Sequence, residues 1–138
     1  MSTEKENKAI HRRVYEEIWN KGNLDVVDEI FDDNYIFHPL PQRRGPKWYK
    51  EMYHDLAGAF TDFHCEIEDM IAEGDRVMVR TTITGTHTRE FWGVDPTGKQ
   101  ISVTEIAVVR IKDGKIVEEW GSPDLFSLMQ QLGAIPSR

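Results

Sequence analysis

Apolar residues first recur at intervals of four. Ile10, Val14 and Ile18, with Tyr15 and Trp19 widening the stripe, predict an amphipathic helix. Thr3 and Glu6 stand at capping-box spacing ahead of it, and Asn20-Lys21-Gly22 ends it. Asn23 suits the cap of a short second helix that turns Leu24, Val27, Ile30 and Phe31 inward. Asp32-Asp33-Asn34 breaks that helix, and Tyr35 to His38 reads as a short strand. Beyond a loop from Pro39 to Pro46, Trp48, Met52, Leu56 and Phe60 again repeat every four residues. Pro46 fits the first position of this third helix, where a missing N–H costs nothing.

From Phe63 onward the period changes from four to two. Phe63, Cys65 and Ile67 alternate with His64, Glu66 and Glu68, and Glu73-Gly74-Asp75 turns that strand into the run from Arg76 to Thr88. There Val77, Val79, Thr81, Ile83, Gly85 and His87 share one face. Arg89 to Lys99 is a loop, and a strand from Gln100 to Ile111 follows. Asp113-Gly114 between two alternating runs is a hairpin signal, because both central residues of a type I′ turn need φ > 0. On the next strand Ile116, Glu118, Trp120 and Ser122 are expected on one face, with Val117, Glu119 and Gly121 on the other. Leu125, Leu128, Met129 and Leu132 then mark a closing helix that Gly133 stops. Helices first and a sheet beside them is an α+β pattern. No repeat or linker divides it, so residues 1–138 are expected to form one domain.

The chain has 138 residues, 39% hydrophobic and 30% charged, enough for a real core. Its net charge of -7 argues against nucleic acid or an anionic membrane surface as partner, although Arg43, Arg44, Lys47 and Lys50 could make a small basic patch. No apolar run reaches membrane-spanning length. Cys65 stands alone, so no internal disulfide is possible. With a polar start that lacks a secretory core, this makes the cytoplasm the expected compartment.

Several stretches together resemble the polyketide-cyclase-like (SnoaL-like, ester cyclase) branch of the NTF2-like superfamily. They are residues Val14 to Asn23, Ile71 to Val77, Gly85-Thr86-His87, Pro96 to Lys99, Asp113 to Ile116, Glu119-Trp120, and Asp124 with Gln131-Leu132-Gly133. The resemblance runs over nearly the whole chain. It implies a cone: a curved, mostly antiparallel sheet with three N-terminal helices enclosing an apolar cavity. It also implies closure of a ring in a small apolar, carbonyl-bearing substrate by intramolecular aldol chemistry, without metal or cofactor. By position Asp124 matches the family's acid/base. A second polar group expected on the preceding long strand is replaced here by Glu105 or Arg110. Pairing of sheet faces in the superfamily implies a homodimer or homotetramer.

A carboxylate in an apolar cavity can remove a proton α to a carbonyl, because lost hydration raises its pKa toward the working pH. Asp124 is the first candidate. Ser122-Pro123-Asp124 is equally a helix-start sequence, with Ser122 as cap and Asp124 at the positive end of the dipole, a setting that would lower the same pKa. His87 ends an inward strand face and could donate to a substrate carbonyl, or simply be a satisfied histidine at a strand end. His38 has the same two readings. Glu105 has inward parity between Val103 and Ala107, as a second carboxylate or as half of an ion pair with Arg80. Tyr15, Trp19, Tyr35, Trp48 and Trp120, with His38 and Glu105, are the candidates for the substrate wall, although each aromatic taken singly is more often core. The histidines lack ligand spacing and the single cysteine has no partner, so no metal site is expected. A phosphate-loop spacing from Gly93 to Lys99 leads into a strand rather than a helix, so it offers no cradle. Two functions follow: a cofactor-free cyclase, or a module that binds an apolar molecule without turnover. An isomerase or dehydratase on the same cone is a third.

Overall fold

The computed structural model describes residues 3–39 and 43–136; residues 40–42, inside the loop expected between Pro39 and Pro46, lie outside the described residues, as do 1–2 and 137–138. Helix α1 spans Glu4–Arg13, with the Thr3 hydroxyl accepting the Glu6 N–H at 3.1 Å as the capping spacing predicts. Val14–Trp19 continue it as a π-helical turn, closed by the Asn20 N–H on the Tyr15 carbonyl. Asn20 then locks the segment to the sheet. Its amide donates to the Cys65 carbonyl at 2.9 Å and accepts the Cys65 N–H at 2.7 Å. Ile18 and Val14 are buried as the stripe requires, but on α1 the inward positions are Asn7 and His11 rather than Ile10, which is half-buried.

Helix α2 spans Asp25–Ile30 and is capped from Leu24 without a side-chain bond, not from Asn23. Strand β1 (Phe31–Phe37) begins at Phe31, earlier than the sequence suggested, and helix α3 covers Gly45–Ala57. Phe60 opens β2 (Phe60–Glu73) instead of ending α3. Strands β3 (Arg76–His87), β4 (Gln100–Lys112) and β5 (Lys115–Pro123) follow, and helix α4 (Leu125–Leu132) closes the chain. The β4–β5 turn has Asp113 at φ 52° and Gly114 at φ 78°, the paired positive angles that its sequence demands.

The five strands make one curved sheet in the order β1-β5-β4-β3-β2, antiparallel except where β1 runs parallel to β5. Each row across β3 and β4 joins inward residues: Val77 with Val109, Val79 with Ala107, Thr81 with Glu105, Ile83 with Val103 and Gly85 with Ile101. Two apolar clusters cover this face. One lies under the helices and includes Ile18, Val27, Ile30, Phe31, Tyr49, Val79 and Ile116. The other, at the far end, gathers Phe60, Phe91, Ile101, Val103, Leu128 and Leu132. Fully buried aliphatic side chains such as Ile18 and Val27 each contribute roughly 1.5–3 kcal/mol of burial free energy. Phe63 and Ile83 pack against both clusters. Gln131 fixes α4 to β4 by exchanging two hydrogen bonds with the Ser102 backbone.

One irregularity decides what faces inward on β5. Ile116 pairs with Ile111 but Glu118 pairs with Arg110, so Val117 is an extra residue and the strand bulges. A one-residue shift exchanges the two faces beyond it. Glu119, Gly121 and Pro123 lie opposite Val109, Ala107 and Glu105 and share the inner face with Ile116. Glu118, Trp120 and Ser122 belong to the outer face, contrary to the alternation read from sequence.

Candidate active site

Two carboxylates occupy the inner face. Glu105 stands on β4 between buried Val103 and Ala107, and Glu119 stands on β5 opposite buried Val109. Glu119 leans toward Gly121. A Cβ placed on that glycine would sit 3.7 Å from Glu119 Oε2 and 3.1 Å from the Phe37 ring. The missing side chain therefore leaves room chiefly for the Phe37 ring, with the carboxylate at ordinary contact distance. The Tyr35 hydroxyl donates to Glu119 Oε1 at 2.6 Å. Tyr49 is fully buried nearby, its ring 5.9 Å from that of Tyr35, and its oxygen accepts the Trp19 indole N–H at 2.8 Å.

Both glutamates are half-buried. Protein nevertheless surrounds each carboxyl closely enough to remove most of its hydration. Burial pushes Glu105 up to about 8, with the negative charge of Glu119 adding to the rise. Burial pushes Glu119 up to about 7, opposed by the hydrogen bond from Tyr35, which favours its ionised form. Burial, followed by the two carboxylates, holds the Tyr35 phenol well above its ordinary range; in Tyr49 and Tyr15 the same causes act in the same direction. These tyrosines stay protonated donors. Burial also raises the Cys65 thiol, so it is no nucleophile. Burial lowers His11 to about 3, leaving a neutral ring whose Nε2 lies 3.5 Å from the Tyr15 hydroxyl.

The other residues singled out from sequence separate into three groups. Tyr15, Tyr35, Trp19 and Trp48 lie on the carboxylate side: Tyr15 and Tyr35 are buried, while Trp19 and Trp48 are half-buried against Phe63 and Phe37. His87 is fully buried at the far end of the inner face of β3, its Nδ1 3.0 Å from the Thr97 hydroxyl. Asp124, His38 and Trp120 are elsewhere. Asp124 is exposed and caps α4, accepting the Ser127 N–H at 3.0 Å, while Pro123 ends β5 and Ser122 does no capping. His38 and Trp120 stack at 4.7 Å on the outer face, where Arg76 lies 4.9 Å from the Trp120 ring and His38 contacts Glu118 at 3.0 Å. The bulge at Val117 is the reason Trp120 points away. Arg80 pairs with Asp69 at 2.6 Å on that outer face and not with Glu105, whose opposite residue is Thr81. Arg110 pairs with Glu118.

Glu119 and Tyr49 are the two central residues that the sequence did not single out. Strict alternation placed Glu119 outside, and Tyr49 lies beside the stripe that marked α3. Among the described residues no group of three His, Cys, Asp or Glu side chains is placed to hold a metal ion, and no helix is long and apolar enough to cross a membrane.

An inner-face carboxylate pair held among tyrosines is the setting in which to compare the chain with known proteins. Residues 9–132 match the family model described as SnoaL-like polyketide cyclase. Over 122 residues the chain is 30% identical to the aklanonic acid methyl ester cyclase DnrD of Streptomyces peucetius, spanning 85% of this chain and 84% of that protein. A Jannaschia sp. CCS1 protein assigned as a SnoaL-like polyketide cyclase superimposes with a TM-score of 0.88 at 26% identity, over 99% and 97% of the two chains. AclR of Streptomyces galilaeus, for which a hydroxylase activity has been suggested, superimposes with a TM-score of 0.88 at 29% identity, over 99% and 86%. Family model, relative and fold agree over nearly the whole chain: it belongs to the SnoaL-like polyketide cyclase family, with the NTF2-like α+β fold.

Proposed function

We propose that this chain is a single-domain, cofactor-independent cyclase. It closes a ring in an apolar, carbonyl-bearing molecule by intramolecular aldol chemistry, in a cavity between the inner sheet face and the helices. The observation that carries this reading is the pair of inner-face carboxylates, Glu105 at about 8 and Glu119 at about 7. Burial raises both carboxyls, so the pair can hold a proton near neutral pH, and the Tyr35 hydrogen bond favours the ionised form at Glu119, leaving the proton to Glu105. Glu119, kept ionised by the Tyr35 hydroxyl, removes a proton α to one carbonyl. The enolate carbon then bonds to a second carbonyl carbon of the same molecule, and the new alkoxide takes the proton from Glu105. One proton has left carbon and one has reached oxygen. Proton transfer from Glu119 to Glu105 restores the starting state.

Tyr15, Trp19, Tyr35 and Trp48 supply the walls that hold both reacting ends of the substrate together. The name of the Streptomyces peucetius relative supports an aromatic polyketide methyl ester as the substrate class. In this reading Asp124 is a helix cap, and the base is Glu119. Exposed Ile71 and Ile106 on the outer sheet face support a homodimer or homotetramer. We place the protein in the cytoplasm, a compartment that suits its lone cysteine. A different reaction at the same carboxylates is the second reading, favoured by the hydroxylase suggestion attached to AclR.

The test is α-proton exchange in deuterated buffer, followed by NMR across pH 5 to 10 with aromatic β-keto methyl esters. The expected profile is a bell that rises through about 7 and falls above about 8. A rate that stays flat down to pH 5 would mean that no raised carboxylate is the base.

A further inference from the structure

Thr81 on β3 is fully buried, and its hydroxyl has no hydrogen-bond partner among the described residues. Strand pairing fixes its neighbours on the inner face. Ile67 of β2 lies opposite it on one side and Glu105 of β4 on the other, while Val79 and Ile83 flank it along β3 itself. A hydroxyl sealed from solvent among aliphatic side chains costs free energy unless a neighbour engages it. Of these neighbours only Glu105 can.

The converse holds for Glu105. Its neighbours on the sheet are Thr81, Pro123 of β5, and Val103 and Ala107 along β4. Proline and the aliphatic side chains offer no donor. Burial and then the Glu119 charge raise its carboxyl, and no hydrogen bond opposes them. Tyr15, Tyr35, Tyr49 and Cys65 feel its charge from the surrounding elements without bonding to it, and all four stay protonated. The nearby cations are engaged on the outer face, Arg80 with Asp69 and Arg110 with Glu118. Directly opposed side chains on one sheet face start from Cβ atoms about 5 Å apart. Rotation about the bonds of the glutamate side chain therefore brings its carboxyl to the Thr81 hydroxyl.

We propose that Thr81 is a positioning residue for Glu105, its hydroxyl donating to the carboxylate that forms when Glu105 gives up its proton. This rests on the cyclase reading and deepens it. In ring closure the Glu105 O–H bond breaks, an O–H bond forms on the alkoxide, and a negative charge is left on Glu105 among hydrocarbon. The new carboxylate turns to Thr81, which keeps its own proton, until Glu119 returns a proton to Glu105. The hydroxyl is needed only in that ionised state, which accounts for its lack of a partner here.

Thr81→Val keeps the shape of the side chain and removes the hydroxyl, whereas Thr81→Ser keeps the hydroxyl. Glu105 is read without substrate, by NMR of protein carrying carbon-13 at its glutamate carboxyls. A Glu119→Gln background leaves one uncoupled titration, assigned by its disappearance in Glu105→Gln. In Thr81→Val that titration is expected to move up by about half to one pH unit, the scale of one hydrogen bond, and in Thr81→Ser by no more than about 0.2. With Glu119 in place, the descending limb of the α-proton exchange profile should move up in the same way. Urea denaturation at pH 6, where Glu105 is protonated, should find Thr81→Val at least as stable as wild type, because an unpaired buried hydroxyl has been removed. A Glu105 titration that Thr81→Val leaves in place overturns the proposal, as does one that Thr81→Ser displaces equally. Marked destabilisation of Thr81→Val overturns it too, since the hydroxyl would then be partnered at rest. Exchange absent from wild type beside the expected titration shift would leave the Thr81–Glu105 contact standing and remove the cyclase reading. A normal exchange bell beside an unmoved titration would do the reverse.

Discussion

The Tyr35 hydroxyl lies 2.6 Å from Glu119 Oε1, joining a fully buried residue of β1 to a carboxylate 84 positions later on β5. The parallel pairing of those strands brings them together, setting Phe37 level with Glu119. The bond opposes the rise that burial imposes on Glu119 and keeps the ionised form within reach of neutral pH.

Removing that bond moves the base. In Tyr35→Phe the pKa of Glu119 rises further, so the ascending limb of the exchange profile shifts to higher pH and the bell narrows. At pH 6.5 the rate is expected to fall about tenfold, while loss of one hydrogen bond costs only about 1 kcal/mol of stability. A pH–rate profile of both proteins, with urea denaturation alongside, checks both effects.

The same carboxylates make stability depend on pH. Their folded pKa values, about 8 and about 7, lie above the ordinary 4.5, so the folded state holds protons more tightly than the unfolded chain. Their contribution is fully present below about 4.5 and declines as pH rises, until it is lost above about 8. Between pH 6 and pH 9 wild type should therefore lose more Tm than Glu105→Gln with Glu119→Gln. At pH 9 the double variant is expected to melt about 5 °C higher. Calorimetry at the two pH values measures it; identical pH dependence in the two proteins would contradict the raised pair.

Gly121 matters for space rather than for backbone freedom. A Cβ there meets the Phe37 ring at a tight 3.1 Å and Glu119 Oε2 at an ordinary 3.7 Å, so the methyls of a branched side chain have only these two groups to press against. Gly121→Val is expected to cost roughly 1–3 kcal/mol by overpacking and to lower exchange by more than tenfold as the carboxylate is displaced. Urea denaturation and the exchange assay, run on one preparation, separate the two effects.

Trp120 and His38 belong to the opposite face of the sheet. Trp120→Ala should leave exchange within about twofold of wild type, because only groups that reach the reacting atoms change the barrier directly. Sedimentation velocity is the more responsive measurement, since the outer face also carries Ile71, Ile106 and Arg76. A large loss of exchange with the assembly unchanged would place Trp120 at the site after all.

Local chemistry made much of the fold readable. The Thr3 cap, the Asp113-Gly114 turn and the Leu-rich stripe of α4 each depend on residues close in sequence, and each forms where expected. Glu105 was also placed correctly on the inner face, because β4 keeps strict alternation from Ile101 to Ile111. The rest of the site was hidden by one residue. Val117 bulges, and its cause is a register shift against Arg110 and Ile111 that alternation within β5 cannot reveal. Reading through it turned Trp120 inward and Glu119 outward, so Glu119 was passed over, while Asp124 was chosen for its strand-to-helix corner and its position in the family resemblance. Asn7 and His11 were missed for a related reason: polar residues on the buried face of α1 break the pattern by which that face is recognised.

The central claim is that Glu119, not Asp124, takes the proton from carbon. The most direct measurement compares α-proton exchange by wild type, Glu119→Gln and Asp124→Asn at pH 7.5, each first shown to be folded by circular dichroism. The account predicts a loss of at least about 100-fold in Glu119→Gln, the scale of a removed general base, and a change within about threefold in Asp124→Asn. Exchange abolished in Asp124→Asn and preserved in Glu119→Gln would contradict it.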